Sequence, residues 1–163
     1  MQRSLDVGIV LFGVALAGGA LAQSSLPDPE RTPGATNPVV TAATIGETIC
    51  VRGWTRTVRP PLSYTEKLKR RQIRAYGYED RRLGHYEEDH LMPLDLGGAP
   101  ADPRNLWPEP RMPPDGWGAD RKDELELALN RLVCAGRLSL AEAQQAIATN
   151  WIAAWRRFVQ GTE

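Results

Sequence analysis

The chemistry-bearing residues of this chain are gathered in its middle third. An acidic run, Glu87-Glu88-Asp89, leads directly into an imidazole, His90. Imidazole titrates near neutral pH, so His90 can take a proton from water under physiological conditions and suits a general base. Pro93-Leu94, the glycine pair Gly97-Gly98 and Asn105-Leu106 follow at compact spacing. A helical segment rich in oxygen side chains comes next, with Asp123, Glu126 and Asn130 at i, i+3 and i+7 and therefore on one face. That segment contains no His, and Cys50 and Cys134 are too far apart to form a zinc ribbon.

This order of motifs resembles the HNH nucleases, the ββα-metal group, in which D-H-x-x-P-L, G-G and then N-L precede a helix. It is also similar to exported bacterial HNH-like proteins carrying DHL-x-PL-x-LGG, NLWPEP and KD-x-LE segments. The resemblance spans Tyr86 to Cys134. It implies an α+β domain, mostly helical, with a small ββα-metal core and flanking helices. It also implies divalent-metal-dependent hydrolysis of phosphodiester bonds in nucleic acid, DNA before RNA and without sequence specificity. In that scheme His90 is the base, Asp89 a metal ligand, and Asn105 the residue that fixes the His90 ring across the loop. The third ligand must come from the helix, where the usual His is missing. Asp123 is ranked first, Asn130 second and Glu126 third. An all-oxygen donor set favours Mg²⁺ or Mn²⁺ over Zn²⁺. The rival expectation is a non-catalytic exported domain that keeps the ββα scaffold for binding or structure. Under it, Glu87–Asp89 is a solvated acidic turn and His90 a structural histidine.

These groups must be positioned by a few elements. Tyr86–Leu91 reads as a strand end, Gly97–Pro100 as a turn and Arg104–Trp107 as a short extended piece. Ala119 to about Cys134 reads as a helix with Leu125, Leu129, Leu132 and Val133 on one side, and Lys122 with Glu126 as an i,i+4 surface pair. Ser139–Glu142 is a capping box opening a last helical region whose Trp151, Trp155 and Phe158 read as core. Upstream, Glu47–Val51 is a strand candidate, the chain is extended from Trp54 to Pro61, and a second capping box, Ser63–Glu66, opens a helix that stops at Gly77. That helix carries Lys67, Lys69, Arg70, Arg71 and Arg74, with Arg52, Arg56 and Arg59 before it. Lys69, Arg70, Arg71 and Arg74 are the candidate phosphate contacts; a solvated face is the rival reading.

The 163-residue chain has 20 basic and 20 acidic residues, 42% hydrophobic and 25% charged, which excludes a disordered or multi-span membrane protein. The balance is uneven: ten basic and three acidic residues lie between Cys50 and Arg82, six basic and twelve acidic between Leu83 and Glu142. At the start, Arg3, an apolar run from Val7 and the Ala20-Leu21-Ala22 ending read as a signal peptide over 1–22. Residues 23–45, rich in Ser, Pro, Thr and Gly, read as a flexible lead-in, and 46–160 as one domain. Export to the periplasm or beyond, with no membrane association after cleavage, makes Cys50–Cys134 a disulfide.

Overall fold

The computed structural model describes residues 24–162; the signal-peptide reading of 1–22 lies outside them. Within this range the fold is α+β. Helices α1 (Trp54–Val58) and α2 (Leu62–Ala75) precede strands β1 (Tyr86–His90) and β2 (Leu106–Pro110), followed by α3 (Ala119–Cys134) and α4 (Leu140–Phe158). The strands form one antiparallel pair with Asp89 opposite Trp107 and His90 opposite Leu106. Both strands are edges, which is why β2 tolerates Pro108 and Pro110, residues with no N–H to donate.

The main core lies between α3 and α4. Leu125, Leu129 and Val133 repeat at four-residue spacing on α3 and meet Leu140, Ala143, Ile147, Trp151 and Ala154 of α4. Met92 and Leu96, from the loop between the strands, close the same core. A smaller cluster of Ile73, Tyr78 and Tyr86 fastens α2 to β1. Cys50 and Cys134 are bonded, tying the segment before α1 to the end of α3 across 84 positions. No helix among the described residues is long and apolar enough to cross a membrane.

Several local expectations give way to tertiary contacts. Glu47–Val51 is no strand: Ile45–Glu47 is a 3-10 turn, and Cys50 N–H donates to the Ile45 carbonyl, because no neighbouring strand offers a ladder there. The extended stretch from Trp54 is instead α1, entered through Gly53 at a φ of 87°. The Ser63 box does not form. Pro61 pre-sets the turn, α2 begins at Leu62, and Glu66 pairs with Lys69 at 2.7 Å. The described part of the 23–45 segment is laid onto the domain: the Gly34 N–H donates to Arg104 O, Asn37 N–H to Gly97 O, and the Trp151 indole to Ser25 O. Its composition reflects a lack of regular structure rather than a lack of contacts.

Candidate functional site

The loop between the strands decides where His90 stands. Gly97 adopts a φ of 78°, and a Cβ on Gly98 would lie 1.8 Å from the Met92 carbonyl oxygen, so this turn requires glycine. The space so spared is filled by the Asn105 amide. Asn105 Nδ2 donates to Met92 O at 2.9 Å and Ala99 O at 3.0 Å, while its Oδ1 accepts from Met92 N at 2.8 Å. Asn105 thus bridges the loop, but among the described residues its side chain makes no hydrogen bond to the His90 ring. The ring is held by the Pro100 carbonyl, 2.8 Å from Nε2. A carbonyl only accepts, so Nε2 carries the hydrogen and Nδ1 is left as the basic nitrogen. Burial lowers the His90 pKa, with the Asp89 charge opposing it, so the ring is neutral at pH 7.

Strand alternation separates Asp89 from His90. His90 and Glu88 share one face of β1 and line a cavity of about 240 Å³ with Arg59, Thr65, Lys69 and Arg111. Both Glu88 carboxyl oxygens are buried without a hydrogen-bond donor, and burial raises the group to about 8. Asp89 points to the opposite face, toward α3. There it accepts from Lys122 Nζ at 2.5 Å. The same ammonium donates to the His90 carbonyl at 2.8 Å and to Glu126 Oε1, and it is fully buried. Glu109, on the same face of the hairpin as Asp89, is also buried, and its oxygens meet no donor from another residue. Burial raises Glu109 well above the carboxylate range, and the neighbouring Asp89 charge adds to the rise. Burial raises Glu126 likewise. Burial would push Asp89 up, but Lys122 holds it low; burial would push Lys122 down, but Asp89, Glu126 and Glu109 hold it charged.

Of the three helix residues ranked as ligands, only the third shares the Lys122 ammonium with Asp89. Asp123 is exposed one position past Lys122, raised to about 6 by partial burial and the nearby Asp89 charge. Asn130 donates its amide to the Asp95 and Ile49 carbonyls. Glu126, ranked third, is the one beside Asp89. Among the described residues no group of three or more His, Cys, Asp or Glu is arranged to hold a metal ion. A divalent cation does not fit the Asp89–Glu126 position while a buried ammonium stands between those carboxylates. Of the basic candidates, Lys69 is buried against Glu66 and the Tyr86 carbonyl, whereas Arg70, Arg71 and Arg74 are exposed and make no ion pair among the described residues.

Lys122, Glu109 and Glu88 are the site residues that sequence reasoning missed. For Lys122 a signal existed: with Leu125 and Leu129 it occupies i, i+3 and i+7, the buried stripe of α3, where a surface ion pair has no place.

Fold and site together define a small disulfide-closed α+β domain, with a two-stranded hairpin over a helix and a buried lysine–carboxylate cluster between them. No family model matches the chain, and no curated protein or solved structure does either.

Proposed function

We propose that this domain is an exported nucleic-acid-binding module built on an HNH-like ββα scaffold. One observation carries the reading: Lys67, Arg70, Arg71 and Arg74 run along α2 at i, i+3, i+4 and i+7, exposed and without ion pairs among the described residues. Arg52, Arg56 and Arg59, also exposed and without ion pairs among the described residues, precede them. A helix face that served only to balance the acidic half of the chain would have acidic partners. Phosphate contacts of this kind position a polyanion without reading its sequence. The hairpin, the Asn105 bridge and α3 support the ββα scaffold, and the Cys50–Cys134 bond supports an oxidising compartment.

A second reading, divalent-metal-dependent endonuclease, is favoured by His90 itself. Its Nδ1 has no hydrogen-bond partner among the described residues, and its ring lies in the wall of the cavity that Arg59 and Arg111 line. There it can take the proton of a water attacking a phosphodiester. Mg²⁺ or Mn²⁺ on Asp89 would require Lys122 to leave.

Supercoiled plasmid and labelled oligonucleotides, each with Mg²⁺, Mn²⁺ or EDTA, test both readings. Binding without nicking is the expected result. Nicking that EDTA stops and the His90→Ala variant lacks moves the assignment to endonuclease. Absence of binding at physiological salt removes both.

A further inference from the structure

We infer that the Lys122 ammonium fills the place of a divalent cation in an oxygen cage made by Asp89, the His90 carbonyl and Glu126, with the Glu109 carboxyl beside it, so that removing the ammonium turns the cage into a Mn²⁺ or Mg²⁺ site. The inference does not depend on whether the domain binds nucleic acid.

An ammonium has three N–H donors, and each of Lys122's meets one oxygen: Asp89 Oδ2 at 2.5 Å, His90 O at 2.8 Å and Glu126 Oε1. These oxygens come from β1 and α3, so the cation joins two elements as a bound metal would. The cage also holds more acceptors than one ammonium can serve. The Glu109 carboxyl is 1% exposed, lies beside Asp89, and meets no donor among the described residues, Lys122 included. Burying an unpaired ammonium is costly, so the cage and the lysine require each other. Hard cations of the Mg²⁺ and Mn²⁺ type select all-oxygen sets of this kind, at metal–oxygen distances near 2.1 Å. A divalent ion and the ammonium would stand within a few ångströms of each other in a dry interior, so the two are alternatives.

The experiment uses the disulfide-intact protein and Mn²⁺ alone as probe. Bound Mn²⁺ is read from the loss of the free-ion electron paramagnetic resonance signal, and Tm is measured with and without Mn²⁺. The wild-type protein is expected to bind no Mn²⁺ at Asp89, so that any weak surface uptake is the same in Asp89→Asn. Lys122→Met keeps the stem and removes the charge. It is expected to bind one Mn²⁺, to rise in Tm as Mn²⁺ is added, and to lose both responses when combined with Asp89→Asn. Two results overturn the inference: Mn²⁺ uptake by the wild type that Asp89→Asn abolishes, or a folded Lys122→Met protein that binds none. Folding of Lys122→Met only when Mn²⁺ is present supports it. Should that variant fold under neither condition, the wild-type titration decides: no Asp89-dependent uptake supports the inference, and such uptake overturns it.

Discussion

His90 and Asp89 are legible in the sequence because Pro93-Leu94, Gly97-Gly98 and Asn105-Leu106 follow them in order, yet their surroundings are not. A strand sends neighbours to opposite faces, so the pair serves two environments: a cavity for His90 and a buried cage for Asp89. Glu88, on the His90 side, has a measurable consequence. Its carboxyl titrates near 4.5 when ordinary and near 8 here, because burial disfavours the charged form. The folded protein therefore binds more protons than the unfolded chain between those values, and stability falls as pH rises through that window. Urea unfolding should show the wild type losing stability from pH 5 to pH 8.5. Glu88→Gln should reduce that loss and be the more stable of the two at pH 8.5, by on the order of 2 kcal/mol. Asn105 makes three good hydrogen bonds to the interstrand loop. Asn105→Ala leaves buried Met92 and half-buried Ala99 backbone groups unpaired and should cost about 3 kcal/mol in the same measurement.

Elements with a strong period were legible; those that depend on a neighbour were not. Helix α3 runs from Ala119 to Cys134, where its apolar spacing puts it, because the stripe that predicts it is also the stripe that packs on α4. The two capping-box motifs differ for a local reason. Ser139 and Glu142 cap each other reciprocally at the start of α4, whereas Pro61 pre-empts Ser63. Ser139→Ala should destabilise by about 1 kcal/mol and Ser63→Ala by a few tenths at most, a contrast that thermal unfolding resolves. Helix α4 is also interrupted at Asn150, at φ −165° and ψ 97°, where the side chain accepts from Ala153 N–H and restarts the helix. A lone Asn inside an apolar repeat is too weak a sign to find that break beforehand.

At the scale of the molecule, the zero net charge hides a basic region and an acidic one that do not neutralise each other. Asp89 and Glu126 of the later half turn inward onto Lys122, and among the described residues the exposed cations of α1 and α2 make no ion pair. The Cys50–Cys134 bond closes a long loop, and the chain-entropy account of such bonds makes its reduction cost about 4 kcal/mol in urea unfolding with and without dithiothreitol. The pairing was legible from two lone cysteines in a chain whose start reads as an export signal. The packing of 24–45 was not, since it rests on scattered backbone hydrogen bonds that no residue pattern announces. The most direct test of the account is the salt dependence of oligonucleotide binding by the wild type and by Arg70→Gln/Arg71→Gln/Arg74→Gln. Each phosphate contact adds a little under one to the slope of log K against log salt, so the triple variant should bind more weakly with a slope shallower by about 2. Equal affinity and equal slope in the two proteins would contradict it.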